Sequence, residues 1–575
     1  MKELKFSEIV RLNNELKNTS NAYSIAILSN ITVHQINPIL EYALKSENID
    51  AKCTIGDYDN IVQDSKTFSD RKLVVIFWEL ANLIDGFQYI SNDLSSLETE
   101  QYLTRFKSEI DFVFKNLSTT SLVILNKFST LIFNHHFSGR NNFDQLCQEL
   151  NNYILKNAPA NVEIVEIDRV IASVSIDKSV NFRDFYSSKN LYSIDFLKSY
   201  VGFITPIVRS VCGLSKKALI LDCDNTLWNG VIGEDGMDGI IMSPSKPKGV
   251  VFREVQNIVK HLSKKGILIG LNSKNNIEDV EEVIINHPDF WLSNEQIVIK
   301  KVNWKNKAEN LNEIAKELNI GIDSLVFIDD SDFEINLINE YVPEVYTIQV
   351  PKNIYTYPDM IRSKLSLFFN RGISEEDVKR VRMYKEQSER ESIKSGFENM
   401  EEYLRSLQLE MTILIDEQEL VPRIAQLTQK TNQFNLTTKR YTESDISNFL
   451  KSNNHSVYAF QACDKFGDFG TTGVSILEID GDKARIDTFL MSCRILGRKI
   501  EYRFLEEIFR DLKNLNISQV EASYLSTAKN VQTKDFFESA KFNLIKENES
   551  EKQYLLNLDL IQQGEFDFIK VKNGK

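Results

Sequence analysis

The sequence predicts a multidomain α/β protein with two consecutive parallel sheets, followed by an α+β domain. Three observations carry this prediction. Apolar strand-like runs alternate with amphipathic helical segments through the first two thirds of the chain, which is typical of βαβ units. Polar residues follow many of these runs directly, where open α/β sheets place their ligands. The last third contains the turn "DGD" between alternating runs, which is a hairpin signal.

The elements divide the 575 residues into four parts. Residues 1–212 contain predicted strands at 23–31, 73–80, 121–128 and 162–171, with helical segments such as 36–49 between them. Residues 213–372 show the same alternation of strands and helices, with predicted strands in "KALILDCD", "GILIGLNS", "DSLVFIDDS" and "EVYTIQV". Residues 373–408 form a predicted charged helical linker. Residues 409–575 predict an antiparallel sheet from "MTILIDE", "HSVYAFQACD", the hairpin and "QVEASYLST", with a helix in "RKIEYRFLEEIFRDLKNLN".

Composition excludes several classes of protein. The formal net charge of -14 argues against broad nucleic-acid binding. Six cysteines without CxxC spacing indicate reduced thiols and no zinc site. The N-terminal stretch lacks the apolar run of a signal peptide, and no run reaches transmembrane length. We therefore expect a cytoplasmic protein without a membrane partner.

Polar residues at the predicted strand ends of the second part form one constellation. Because parallel strands bring their carboxyl ends together, these groups can converge on one pocket. Carboxylates there make a hard oxygen site for Mg²⁺, and a hydroxyl and an ammonium can hold phosphate oxygens. A strand-end aspartate alone is often only a helix cap. The set in chain order predicts phosphoryl chemistry: Asp222 and Asp224, Ser273, Lys307, and Asp329 with Asp330.

The motifs "DCDNTLWNGVIGEDG", "SKNN", "KAEN" and "FIDDSDFE" resemble those of the haloacid dehalogenase superfamily, and more closely its FkbH-like branch. The resemblance implies a Rossmann-like domain with one departure, Asp332, where the family more often has proline. It implies the following roles: Asp222 as nucleophile, Asp224 as general acid and base, Lys307 as stabiliser of the aspartyl-phosphate, Asn225, Thr226 and Ser273 as phosphate ligands, and Asp222, Asp224, Asp329 and Asp330 as the Mg²⁺ site.

The spacing of these motifs adds a prediction that is independent of the family. Only short segments separate Asp224 from Ser273 and Ser273 from Lys307, so there is no room for a cap domain over the pocket. An uncapped site admits a large substrate, which favours a phosphoryl or acyl group tethered to a protein.

Two cysteines are candidates for carrying an acyl group. FkbH-like proteins are similar to enzymes that load a glyceryl unit from 1,3-bisphosphoglycerate onto an acyl carrier protein, which implies an enzyme-bound thioester. Cys223 lies between the two aspartates, and Cys493 lies in "MSCRILGR". The alternative for Cys223 is a small buried apolar residue, and carboxylates around it would raise its thiol pKa.

The stretch "FLMSCRILGRKIEYRFL" resembles the acyl-CoA loop of GNAT acetyltransferases. It departs from that loop in having Arg498 and Lys499 where small residues are usual. We therefore expect the phosphopantetheine arm of a carrier protein as the ligand, in preference to CoA. Cys493, Arg494, Gly497 and Arg498 are the predicted acyl and pantetheine site. The alternative is an ordinary strand–helix turn with solvated arginines. A basic island could dock an acidic carrier: Lys439, Arg440, Arg494, Arg498, Lys499 and Arg503.

A second polar stretch, "IAQLTQKTNQFNLTTKRYT", resembles another FkbH-like signature. The first part of the chain resembles the SGNH-like N-terminal region of the same branch, whose sheet is flavodoxin-like. Ser29 occupies a plausible nucleophile position, but the expected DxxH is absent. His34, His135 and His136 sit in other contexts, so we predict a non-hydrolytic domain for docking or oligomerisation.

The sequence therefore predicts a Mg²⁺-dependent enzyme that removes phosphate from a 1,3-bisphosphoglycerate-derived acyl group and loads a glyceryl thioester on an acyl carrier protein. Two alternatives stay open. A stand-alone phosphatase would need only the middle domain, and a non-catalytic biosynthetic scaffold would need none of the strand-end groups.

Overall fold

The computed structural model describes residues 4–16, 22–84, 86–91, 93–133, 141–371, 382–384, 390, 397, 399–492, 495–527, 529–560 and 566–573. The chain divides into two compact units, Met1–Cys212 with Tyr441–Ile446, and Gly213–Arg440 with Ser447–Lys575. Most of the predicted linker 373–408 lies outside the described residues, apart from a helix that begins at Met400. None of the described helices is long and apolar enough to cross a membrane.

The first unit contains a five-stranded parallel sheet with strand order β2-β1-β3-β4-β5. Its strands are β1 Tyr23–Ser29, β2 Ala51–Ile55, β3 Leu73–Phe77, β4 Leu122–Asn126 and β5 Val162–Val165. Its helices are α1 Phe6–Glu15, α2 Ile36–Lys45, α3 Ile61–Thr67, α4 Phe87–Ile90, α5 Ser96–Asn116, α6 Asn142–Asn157, α7 Ile167–Val174, α8 Ile176–Ser179, α9 Phe182–Ser188 and α10 Ile194–Val211. The predicted strand 162–171 is wrong beyond Val165, because α7 begins at Ile167.

The residues considered for hydrolysis in this unit do not form a catalytic group among the described residues. The Ser29 hydroxyl is buried and donates to the carbonyl oxygen of Ile31 at 2.6 Å. His34 is exposed in the loop after β1. His135 and His136 lie outside the described residues.

A buried carboxyl, Glu79, follows β3 in the same unit and makes its stability depend on pH. Burial raises the pKa of Glu79 to about 7, although its carboxylate accepts a hydrogen bond from the Tyr192 hydroxyl at 2.9 Å. Because the folded-state pKa lies above the unfolded value, the proton on Glu79 stabilises the fold at low pH, and this contribution is lost as pH rises through about 7.

We expect Glu79→Gln to flatten this pH dependence. The wild-type free energy of unfolding should fall by about 3 kcal/mol more than that of Glu79→Gln between pH 4 and pH 8. Urea denaturation at a series of pH values measures the difference, with the exposed Glu100→Gln as control. Equal pH dependence of wild type and Glu79→Gln would contradict the expectation.

The second unit begins with another five-stranded parallel sheet, of order β10-β9-β6-β7-β8. Its strands are β6 Ala218–Leu221, β7 Leu268–Ser273, β8 Ile297–Val302, β9 Leu325–Asp329 and β10 Tyr346–Gln349. Its helices are α11 Ile232–Gly239, α12 Pro247–Lys264, α13 Ile277–Asn286, α14 Lys307–Glu317, α15 Asp332–Tyr341 and α16 Tyr357–Lys364. No further domain is inserted in this fully described stretch, so the prediction of a capless Rossmann-like fold is confirmed.

An eight-stranded sheet follows in the same unit, of order β16-β17-β15-β14-β13-β12-β11-β18. Its strands are β11 Glu410–Ile415, β12 His455–Asp464, β13 Gly467–Asp480, β14 Lys483–Met491, β15 Gln519–Leu525, β16 Asn543–Glu547, β17 Glu551–Asn557 and β18 Lys570–Asn573. Helices α17 Met400–Ser406, α18 Val421–Lys430, α20 Ile500–Asn514 and α21 Phe536–Ser539 accompany it, and α19 Glu443–Lys451 contains residues of both units. The predicted antiparallel sheet is in fact mixed, since β14 pairs with β15, and β11 with β18, in parallel.

Candidate active site

The candidate active site lies at the carboxyl ends of β6, β7 and β9, which we call the catalytic edge together with the loops that follow them. Strand β6 is the middle one of the three, so the residues after it lie between the other two strand ends. The Asp222 amide donates to the carbonyl oxygen of Ile328 in β9 at 3.0 Å, which extends the pairing by one residue. The parallel topology thus brings together the distant motifs that the sequence singles out.

Lys307 is the centre of charge at this edge. Its buried ammonium lies 3.0 Å from Oδ1 of Asp222 and 2.6 Å from Oδ2 of Asp329. Two asparagines that sequence reasoning missed fix the position of the Lys307 backbone. The Asn272 amide donates to the carbonyl oxygen of Lys307 at 2.9 Å, and Asn310 donates to the Asn272 side chain at 3.0 Å. This buried amide pair ties the start of α14 to the end of β7.

Burial is the largest influence on the ionisation of these groups. It raises the pKa of Asp222 to about 6, while the neighbouring Lys307 ammonium lowers that pKa and the Asp329 carboxylate raises it. Burial also raises the pKa of Asp329 and of Asp330. Lys307 keeps its proton, because the attraction of Asp222 and Asp329 outweighs its burial and raises its pKa. Three carboxyls around one ammonium leave an excess of negative charge.

Three carboxyl groups at this edge can hold a cation. Asp222, Asp329 and Asp330 each offer an oxygen, and these oxygens lie within 4.8 Å of one another. Hard carboxylate oxygens at this separation fit Mg²⁺, which would offset the excess negative charge. Asp224, also predicted as a metal ligand, is not part of this described group.

The side chain of Asp224 is instead held by three donors. Its Oδ1 accepts from the Trp228 indole at 2.9 Å and from the Ile232 amide at 3.0 Å, and its Oδ2 accepts from Asn275 at 2.9 Å. Asn275 also donates to the Ser273 hydroxyl at 3.1 Å. Trp228 and Asn275 are site residues that sequence reasoning missed, although both lie within the quoted motifs. They hold the Asp224 carboxylate in one orientation.

The predicted phosphate ligands lie in different surroundings. Ser273 is buried at the end of β7, and its hydroxyl hydrogen-bonds to Asp222 and lowers the pKa of that carboxyl. The Thr226 hydroxyl is fully buried and has no hydrogen-bond partner among the described residues. Asn225 has a left-handed φ of 51°, and its side chain accepts from the Gly230 amide at 3.0 Å. It also hydrogen-bonds to Asp330, so Asn225 shapes the loop.

Cys223 lies in the apolar core and not at the open edge. Its side chain is fully buried among residues such as Leu219, Leu221 and Trp228. Burial, followed by the Asp222 charge, raises the pKa of its thiol well above the ordinary value. This placement favours the structural alternative for Cys223, because a nucleophilic or acyl-carrying sulfur needs access and a thiolate.

The predicted acyl site before α20 is described only in part. Cys493 and Arg494 lie outside the described residues. Gly497 has a φ of 79°, and Lys499 precedes α20 with a φ of 63°. The buried Arg498 guanidinium lies 4.8 Å from the Phe469 ring centroid. Arg498 is therefore packed against the sheet.

Other members of the predicted basic island make internal contacts. Lys439 pairs with Asp487, and Arg440 donates to the carbonyl oxygens of Thr428 and Gln429. Arg503 pairs with Glu506 at 2.8 Å and Glu507 at 2.9 Å. These contacts stabilise the domain and reduce the charge that the island offers to a partner.

The signature "QFNLTTKR" has a defined structural role. Strands β14 and β15 pair only at residues 483–486 and 519–522 and then separate. Residues 434–436, which we call the inserted segment, fill the gap. Met491 donates to the carbonyl oxygen of Phe434 at 2.9 Å, Leu436 donates to that of Phe489 at 3.1 Å, and Leu525 donates to that of Leu436 at 2.8 Å. An extended ligand that pairs with β14 here would have to displace this segment.

The fold and the catalytic edge define a capless Rossmann-like α/β domain, which a second parallel-sheet domain precedes in the chain. The chain is similar in fold to the N-terminal part of BF1531 from Bacteroides fragilis, which contains a phosphatase domain complexed with Mg. The two are 24% identical, with 64% of this chain and 100% of that chain covered and a TM-score of 0.56.

Further solved structures overlap only a short part of this chain. The ribosomal-protein-S18-alanine N-acetyltransferase from Escherichia coli is 14% identical over 27% of this chain and 97% of its own, with a TM-score of 0.21. An N-acetyltransferase from Staphylococcus aureus is 13% identical over 26% of this chain and 98% of its own, also at 0.21. No protein-family model and no curated protein matches the sequence.

Proposed function

We propose that this protein is a Mg²⁺-dependent phosphatase that forms an aspartyl-phosphate on Asp222. The observation that carries the proposal is the buried cluster of Asp222, Asp329 and Lys307, beside an Asp224 whose carboxylate is oriented by three donors. The Mg-bound phosphatase domain of similar fold supports the choice of metal. Asp222, Asp329 and Asp330 would hold the ion.

The proposed reaction has two steps. An Asp222 carboxylate oxygen attacks phosphorus, the bond from phosphorus to the substrate oxygen breaks, and Asp224 gives that oxygen a proton. Asp224 then takes a proton from water, whose oxygen attacks the aspartyl-phosphate and releases phosphate and free Asp222. Lys307 and Ser273 bind the phosphoryl oxygens throughout. When bound, Mg²⁺ supplies positive charge that offsets the carboxylates and the transferring phosphoryl group.

The finer proposal couples phosphate removal to loading of a glyceryl group from a 1,3-bisphosphoglycerate-derived donor onto an acyl carrier protein. Its support is the FkbH-like resemblance and the open catalytic edge. Two large aromatic side chains are exposed after neighbouring strands of the same sheet, Trp304 between β8 and α14 at 71% and Phe333 in the first turn of α15 at 66%. Exposed aromatics around an uncapped site suit contact with a protein-tethered substrate. The buried Cys223 speaks against a thioester at that residue.

Two readouts on the full chain test both levels of the proposal. Purified protein is incubated with Mg²⁺ and enzymatically generated 1,3-bisphosphoglycerate, released phosphate is measured against an EDTA control, and intact mass is recorded after an acid quench. Cys223→Ala and Cys493→Ala are run in parallel. We expect Mg²⁺-dependent phosphate release that survives in Cys223→Ala.

The two readouts can fail separately. A glyceryl adduct lost only in Cys493→Ala would support coupled acyl transfer and identify the thiol. Phosphate release without an adduct on any form would leave a plain phosphatase. An absence of Mg²⁺-dependent phosphate release with any phosphate ester or acyl phosphate would contradict the phosphatase and favour a scaffold.

A further inference from the structure

We propose that Lys274 binds a second anionic group on the part of the substrate that is not transferred. The site would then select phosphate esters and acyl phosphates whose far end carries a carboxylate or a second phosphate. This inference rests on the phosphatase proposed above and specifies its substrate class.

The position of Lys274 follows from the strand order. It directly follows Ser273, the last residue of β7, and its ammonium lies 2.6 Å from Oε1 of Glu334 in the first turn of α15. Strands β7 and β9 flank β6, and α15 follows β9. The ion pair therefore links the two loops on either side of the loop that contains Asp222. A substrate bound at Asp222 would therefore lie between the two elements that this pair links.

Charge at the catalytic edge gives Lys274 its role. Lys307 is buried between two carboxylates, so it serves the transferred phosphoryl group and cannot reach outward. The Lys274 side chain is 37% exposed, whereas Glu334 is 8% exposed. An ammonium has three donors, and the contact with Glu334 uses one of them. A second substrate anion next to this acidic edge would be repelled unless a cation such as Lys274 met it.

Three successive residues at the end of β7 would then each have a separate role. Ser273 contacts the transferred phosphate, Lys274 contacts the far anion, and Asn275 orients Asp224. The alternative is that the Lys274–Glu334 pair only ties two loops together. A tie between two loops acts on every substrate alike, so that role predicts no difference between substrates.

The test compares three substrates that share a three-carbon chain and a phosphate ester. 3-Phosphoglycerate has a carboxylate at its far end, glycerol 1,3-bisphosphate has a second phosphate, and glycerol 3-phosphate has a neutral hydroxyl. We expect Lys274→Met to raise KM about tenfold for the substrates with a charged far end, with kcat within about twofold. KM for glycerol 3-phosphate should not change, and Lys274→Arg should keep most of the wild-type affinity.

Lys305→Met is the matched control, because Lys305 is an exposed lysine of a neighbouring loop that pairs with Glu313. It should leave all three KM values unchanged. A response to only one kind of far end would identify the group that Lys274 binds. Equal changes for all three substrates, or none, would overturn the inference and leave the phosphatase intact. Failure of the wild type to release phosphate from any of them with Mg²⁺ would overturn both.

Discussion

Replacing Asp222 by asparagine should abolish phosphate release. The amide cannot attack phosphorus, and the cation site loses one of its three carboxylates. We expect the rate to fall roughly a thousandfold or more, which is the scale seen when a covalent nucleophile is removed. Phosphate release at saturating Mg²⁺ measures the loss.

The fold should survive this change. Asparagine has nearly the shape of aspartate, and the Lys307–Asp329 pair at 2.6 Å remains when one of the two carboxylates on the ammonium is removed. Circular dichroism should therefore show a wild-type spectrum for Asp222→Asn. Asp359→Asn, an exposed change on α16, is the control and should keep full activity. Activity in Asp222→Asn comparable to the wild type would refute the aspartyl-phosphate mechanism.

Lys307→Met should have the largest effect on stability. The change leaves Asp222 and Asp329 buried beside each other without their shared cation. Breaking a buried ion pair by removing one partner costs about 3–5 kcal/mol, and we expect a loss of that size in the free energy of unfolding at pH 8 without Mg²⁺. Phosphate release should be lost as well, because the proposed reaction needs the Lys307 ammonium to bind the phosphoryl oxygens.

The destabilisation by Lys307→Met should depend on pH with a definite sign. Burial already raises the pKa of Asp222 and of Asp329, and loss of the ammonium raises both further. A carboxyl whose folded-state pKa is raised stabilises the fold at low pH and loses that contribution as pH rises. The variant should therefore approach wild-type stability near pH 5 and fall behind as pH increases. Urea denaturation measures this, with Lys305→Met as control, and a deficit independent of pH would contradict the explanation.

The sequence predicts the central strands and several of the side chains that converge at their carboxyl ends, because both depend on local patterns. β6 and β9 are fully buried apolar runs that end at aspartates, so strand and site residue are visible together. Prediction fails where the local pattern is ambiguous. In residues 162–171 an apolar run continues past β5, but Ile167, Val170 and Ile171 are buried at helical spacing in α7. β16 is exposed throughout and shows no apolar pattern.

Some site residues were not predicted from the sequence for a different reason. Trp228, Asn272 and Asn275 act through hydrogen bonds to groups that folding brings near, and nothing in their own sequence surroundings indicates a buried partner. Cys223 is the opposite case: its sequence surroundings suggest a site residue, but its side chain lies away from the site. Its neighbours in sequence are the aspartates of the candidate site, yet alternation along the chain turns its sulfur into the core.

The inserted segment sets an order of events for folding. Residues 434–436 leave the ribosome well before β14 and β15. The gap that these residues fill exists only after the two strands have paired at residues 483–486 and 519–522. We expect the segment to dock late, because its contacts close long chain loops. Until then the free edges of β14 and β15 can pair with another chain, so aggregation during synthesis should concentrate at this step.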